Sequence, residues 1–149
     1  MQAAILRDKS GSLKIEEIEI DKPDRNEVLI QTVASGLCHS DLHFIDGSWS
    51  DFAMYPMLLG HEAAGVVQAV GEDVVGIEVG DHVITCLSIF CGHCDRCLTG
   101  HSYLCSHRQE VSDRPIGKPP RLIDGEGNAV NQFTGLGSFA QEMLVHQNG

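Results

Sequence analysis

Three stretches of this 149-residue chain gather side chains able to bind a metal ion or move a proton. One is Cys38-His39-Ser40-Asp41-Leu42-His43, the second is His61-Glu62 after Gly60, and the third is Cys91-Gly92-His93-Cys94-Asp95-Arg96-Cys97, followed by Cys105. The third holds four of the chain's six cysteines, at separations of three, three and eight positions. Tetrahedral zinc takes four soft donors at about 2.3 Å, and short loops of this kind turn successive sulfurs toward one point. Gly92 and Gly100 supply backbone freedom for those turns. A site with four thiolates has no open position, so it stabilises a lobe, at about residues 88–108, and does not catalyse. His93 inside it reads as a solvent-facing bystander. Two disulfides, an iron–sulfur cluster and reduced thiols without metal are the competing readings of the same spacing.

The other two stretches are weak singly and stronger together. Cys38, His61 and Glu62 supply a thiolate, an imidazole and a nearby carboxylate, which is two or three ligands of an open zinc site. Zinc in such a site lowers the pKa of water from 15.7 to about 7 and can equally promote loss of an alcohol proton. Ser40 both donates and accepts, and the imidazole of His43 can take up and release a proton, so the pair can relay that proton to solvent. Asp41 can orient a ligand or cap a short helix. The plainer roles are core packing for Cys38 or His61, and turn capping or solvation for Ser40 and His43.

These residues need a scaffold, and the pattern around them is that of strands. Runs rich in Ile, Val and Leu cover residues 3–7, 13–20, 27–34, 63–70, 81–86 and 138–145, separated by turn signals such as Ser10-Gly11 and Lys22-Pro23-Asp24. No long helical periodicity and no internal repeat interrupts them, so the expected fold is mostly β with short helices. The alternation breaks at Glu16-Glu17, which predicts a bulge. Cys86, inside a strand-like run, is expected to be a buried core thiol. Residues 106–134, with Pro115, Pro119, Pro120, Gly125 and Gly127, read as a long irregular loop. After residue 145 neither a helix nor a glycine-rich dinucleotide fingerprint follows.

Composition narrows the partners. Ten basic against 21 acidic residues give a net charge of −11, which opposes nucleic acid or an anionic membrane surface. With 42% hydrophobic residues the chain is expected to fold as one domain over residues 1–149. No secretory signal and no apolar run of membrane-spanning length is seen, so a cytoplasmic location with reduced thiols is expected.

Gly-Leu-Cys-His-Ser-Asp-Leu-His, Gly-His-Glu-Ala-Ala-Gly, Gly-Asp-His-Val and the four-cysteine lobe occur in that order. In this the chain resembles the N-terminal, GroES-like catalytic domain of the zinc-dependent alcohol dehydrogenases of the medium-chain dehydrogenase/reductase family. The resemblance implies a partly open GroES-like β-barrel with a zinc-binding lobe. It implies catalytic zinc on Cys38 and His61 with Glu62 as an intermittent ligand, and structural zinc on Cys91, Cys94, Cys97 and Cys105. Ser40 and His43 become the proton relay, His39 a neighbour of the coenzyme pyrophosphate, and Trp49 and Leu87 pocket-wall candidates. The implied reaction interconverts alcohols with aldehydes or ketones by hydride transfer to NAD or NADP. In the family a third zinc ligand, usually a cysteine, and a Rossmann coenzyme domain follow the region present here. The chain is therefore expected to be a truncated domain that binds zinc without turning over alcohol, the whole enzyme being a homo-oligomer. A zinc-stabilised, non-catalytic scaffold or interaction module is the alternative.

Overall fold

The structure is a computed structural model that describes every residue except Ser10 and Ile116. Of the Ser10-Gly11 turn signal, Ser10 thus lies outside the described residues, while Gly11 turns the chain at φ +79°. Nine strands run as β1 (Gln2–Leu6), β2 (Leu13–Ile20), β3 (Glu27–Ser35), β4 (Met57–Leu58), β5 (Ala63–Val70), β6 (His82–Ile84), β7 (Leu122–Asp124), β8 (Asn131–Gln132) and β9 (Glu142–His146) among the described residues. Helices are short among the described residues: α1 (His39–Ile45), α2 (Asp95–Leu98) and α3 (Arg108–Ser112), with three 3-10 turns.

The strands form one sheet in the order β7-β2-β1-β4-β8 and another in the order β6-β5-β3-β9. All neighbours are antiparallel except β4 and β8. Residues 138–141 stitch the sheets together. Ser138 and Phe139 donate to Gly60 and Leu59 carbonyls at 3.0 Å, while Phe139 and Gln141 carbonyls accept from Ala4 at 2.8 Å and Thr32 at 2.9 Å. One segment serving strands of both sheets curls them into a partly open barrel, since sheet edges left unpaired are a liability.

Central β1 is buried on both faces: Ile5 packs with Ile18, Leu58 and Leu122, whereas Leu6 packs with Phe44, Met57 and Leu59. A third cluster unites Val28, Ile30, Val67, Leu136, Met143 and Val145. The middle cluster lies directly beneath α1, so burial of Phe44, about 1.5–3 kcal/mol for a side chain of its kind, seats the helix that carries His39, Ser40 and His43.

Three expectations are corrected. No bulge occurs at Glu16-Glu17, where β2 pairs with β1 in unbroken register from Gln2 opposite Glu17 to Leu6 opposite Leu13. Glu16 shares the face of Ile18 and is satisfied there by the Arg7 guanidinium, which also donates to Asp124 at 2.6 Å. The irregularities lie between β3 and β5 instead: Leu29 and Ile30 face Ala69 and Val67, leaving Gln68 of β5 as the extra residue, and Thr32 and Ala34 face Gly65 and Ala64, leaving Val33 of β3 as the other. Cys86 is exposed, because β6 stops at Ile84 and the chain leaves the sheet before reaching it.

The third correction concerns residues 106–134, which carry α3, β7 and β8 and are not a plain loop. Glu27, at the start of β3 and only 4% exposed, accepts from Arg121 Nε at 2.7 Å and from Arg114 Nη2 at 2.6 Å. Arg114 also reaches Asp21, and Lys118 reaches Asp24. Burial alone would raise the Glu27 carboxyl pKa. The hydrogen bonds from Arg114 and the Asp24 backbone, with the charge of Arg121, override that and hold it below the usual range.

Candidate metal centres

Cys91, Cys94, Cys97 and Cys105 bring their sulfurs within 4.8 Å of one another. Cys94 Sγ lies 3.5 Å from Cys97 Sγ and 4.0 Å from Cys105 Sγ, and Cys91 Sγ lies 3.9 Å from Cys97 Sγ. A tetrahedron with zinc–sulfur bonds of about 2.3 Å has edges of about 3.8 Å, so these separations suit one zinc ion. They are almost twice a sulfur–sulfur bond, and all six cysteines are free.

The sequence reaches this geometry through short turns. Gly92 and Gly100 sit at φ +81° and +82° with open space around them, and Cys94 begins α2 so that Cys97 comes round on the same turn. Backbone N–H groups already face the sulfurs: Cys94 donates to Cys91 Sγ at 3.4 Å and Cys91 to Cys105 Sγ at 3.3 Å. Donation from the backbones of Cys97 and Ser106 brings the Cys94 thiol down to about 6, while partial burial pushes Cys97 up to about 11. A group poised to lose protons beside a neighbour that resists is what four crowded thiols show before a dication neutralises them. His93 stays exposed, with Nδ1 3.0 Å from the Cys91 carbonyl.

The ligand atoms of Cys38, His61 and Glu62 also converge within 4.8 Å. Cys38 comes from the loop after β3, and His61 and Glu62 from the loop entering β5. Asp41 ties the two together: Oδ2 accepts from the Cys38 N–H at 3.2 Å and Oδ1 from the buried Gly60 N–H at 2.9 Å. Buried His61 turns Nδ1 toward Asp41 Oδ1 at 3.4 Å without a hydrogen bond. Cys38 is half-buried, His61 buried and Glu62 exposed, and a thiolate, an imidazole and a carboxylate converging from two loops make a donor set that fits a zinc ion.

Around this cluster Ser40 Oγ lies 3.7 Å from Cys38 Sγ. His43 has a buried, unpartnered Nδ1 and packs between His39 and Trp49, each ring centroid 4.7 Å away. Trp49 thus abuts His43 and Phe44, whereas Leu87 lines a cleft of about 830 Å³ with Gly36, His61, Glu62, Ile84 and Cys86. Cys86 shares the cleft but is not part of either cluster among the described residues. Phe133, not singled out by sequence, stands edge-on to His61 at 5.0 Å and to Phe44 at 4.9 Å. Its position in a 3-10 turn far along the chain left no local signal.

A partly open barrel holding a four-thiolate lobe and a mixed cluster at a cleft defines a class, that of GroES-like domains with two candidate metal centres. The sequence profile of the alcohol dehydrogenase GroES-like domain matches residues 24–149. An alcohol dehydrogenase of Moraxella sp. is 37% identical over 149 residues, covering 99% of this chain and 38% of the relative. The S-(hydroxymethyl)glutathione dehydrogenase of Saccharomyces cerevisiae is 32% identical, covering 96% of this chain and 37% of the relative. A solved alcohol dehydrogenase zinc-binding domain protein from Burkholderia ambifaria superimposes with a TM-score of 0.84 at 35% identity, covering 99% of this chain and 40% of that one. Benzyl alcohol dehydrogenase from Acinetobacter calcoaceticus does so with 0.75 at 34% identity, covering 99% and 39%. The chain belongs to the GroES-like domain family of the zinc-type, medium-chain alcohol dehydrogenases, and it spans about two fifths of the length of these relatives.

Proposed function

We propose that residues 1–149 are the catalytic domain of a zinc- and NAD(P)-dependent alcohol dehydrogenase that interconverts small alcohols with aldehydes or ketones. The convergence of Cys38, His61 and Glu62 at the cleft carries this reading. Zinc held there supplies Lewis acidity toward an alcohol oxygen, and the coenzyme of the whole protein supplies the redox chemistry.

The chain's own residues then divide the work. Asp41 holds both ligand loops at fixed separation, and with Nδ1 of His61 turned toward it, Nε2 is the nitrogen left for the metal. Ser40, beside Cys38, accepts the alcohol proton. His43 is three positions further along α1, hence on the same helix face, so as Ser40 takes the alcohol proton its own hydroxyl proton leaves to the imidazole, which releases one toward solvent. Leu87 gives the cleft an apolar wall, Phe133 packs edge-on against His61, Trp49 packs behind His43, and exposed His39 is placed for a coenzyme phosphate.

Exposed Leu37 and Ile84, 87% and 83% accessible, flank the cluster and form the face on which a coenzyme-binding domain would pack. Without that domain, residues 1–149 bind zinc and do not turn over alcohol. The four-thiolate site holds structural zinc, and the complete enzyme assembles as a homo-oligomer in the cytoplasm.

The test has two arms. Purified residues 1–149 should carry two zinc ions per chain and show no turnover. The product of the complete reading frame should oxidise members of an alcohol panel with NAD or NADP. A single zinc per chain together with an inactive complete product would instead indicate a zinc-stabilised scaffold.

A further inference from the structure

Gly36, the residue after β3, presses its backbone against Glu62: its N–H donates to the Glu62 carbonyl at 2.7 Å. A methyl group built on Gly36 would come within 2.4 Å of Glu62 Oε2, 3.0 Å of Cβ and 3.4 Å of Cδ. The Glu62 side chain therefore lies back along its length over the bare Cα of Gly36. Gly36 is not among the glycines with positive φ, so its backbone conformation is open to any residue and the missing side chain answers a steric need. The other side of Glu62 is exposed, leaving the carboxylate free to swing into water unless something seats it.

We propose that Gly36 is a positioning residue for the mixed metal centre: the gap at its Cα is the seat that keeps the Glu62 carboxylate within reach of Cys38 and His61. The proposal rests on reading those three residues as a metal site, and it adds the element that decides whether Glu62 is a ligand or a solvated surface acid. An alanine here would drive the carboxylate off its present position, and its contact with Glu62 Cβ, which no side-chain rotation relieves, would press the two backbone segments a few tenths of an ångström apart. Loss of such support weakens metal binding by about 10–100-fold.

The test uses the 149-residue chain, zinc alone as probe, and competition with a chromophoric chelator; cobalt(II) absorption reports the ligand set of the weaker site. Gly36→Ala should keep the four-thiolate zinc, bind the second zinc about 10–100-fold more weakly and lose the mixed-site cobalt spectrum. Glu62→Ala should do the same, and the double variant should be no weaker than Glu62→Ala. Additive losses in the double variant, or parental zinc affinity in Gly36→Ala while Cys38→Ser loses the second zinc, would overturn the role of Gly36 and leave the metal site standing. Parental second-zinc binding in Cys38→Ser would overturn the metal reading and the proposal with it. If Gly36→Ala does not fold, recovery of folding when Glu62→Gly, which removes the Cβ as well as the carboxylate, is added supports the seat, and continued unfolding overturns it.

Discussion

Asp41 spends both carboxylate oxygens on backbone donors from the two loops that carry Cys38 and His61, and it is 3% exposed. Asp41→Asn puts an amide donor against one of those N–H groups. An unsatisfied buried donor costs about 1–3 kcal/mol, and urea unfolding should show a loss in that range, with weaker binding of the second zinc. The two cysteine sets should part company under substitution. Cys97→Ser removes one of the four converging thiols from a lobe with little apolar core of its own, and on the proposed structural-zinc reading Tm should fall by roughly 10 °C or more. Cys38→Ser should lose the second zinc and leave Tm near the parental value; equal losses in both variants would contradict the division into a structural and a catalytic centre.

Between elements, the buried carboxylate of Glu27 with Arg114 and Arg121 anchors the segment from α3 to β7 on the start of β3. Glu27 keeps Arg114 when Arg121 is removed, so the loss falls short of the roughly 3–5 kcal/mol of an uncompensated buried charge, and Arg121→Met should show about 1–3 kcal/mol in chemical denaturation. The pH dependence follows from the lowered Glu27 pKa. The folded carboxyl sits below its unfolded value of about 4.3, so its stabilisation is complete above that value and is lost as pH falls through the folded pKa. Glu27→Gln should therefore flatten the stability curve below about pH 4. An unchanged acid limb would place the sensitivity in other carboxylates, of which Asp124, held at about 2 by Arg7 and the Asn128 backbone, is the foremost.

At the scale of the molecule, metal removal should separate two kinds of order. The three apolar clusters draw on the barrel, and only Ile89 of residues 88–108 is a buried hydrophobic. A strong chelator should expose the lobe to trypsin at Arg96 and Arg108 while the barrel persists, as mass mapping of early fragments would show. Cleavage spread evenly over the chain would mean the lobe zinc supports the barrel as well. No helix among the described residues is long and apolar enough to cross a membrane.

The four-thiolate lobe was legible in the sequence because its ligands lie within one short stretch, where spacing and two glycines decide which sulfurs can meet. Strands such as β5 were legible for the same local reason, a valine-rich run between glycine stops. Glu16, Cys86 and the segment after Cys105 were misread because their surroundings come from distant parts of the chain: Arg7 and Asp124 satisfy Glu16, β6 ends early and leaves Cys86 in the cleft, and Glu27 draws in Arg114 and Arg121. Cys38 and His61 could be named as metal-binding types from their neighbours. Their meeting, the clamp of Asp41 across them, the edge of Phe133 on His61 and the seat of Glu62 over Gly36 arise only when the barrel closes, because long-range packing, unlike a turn, is not encoded in adjacent residues.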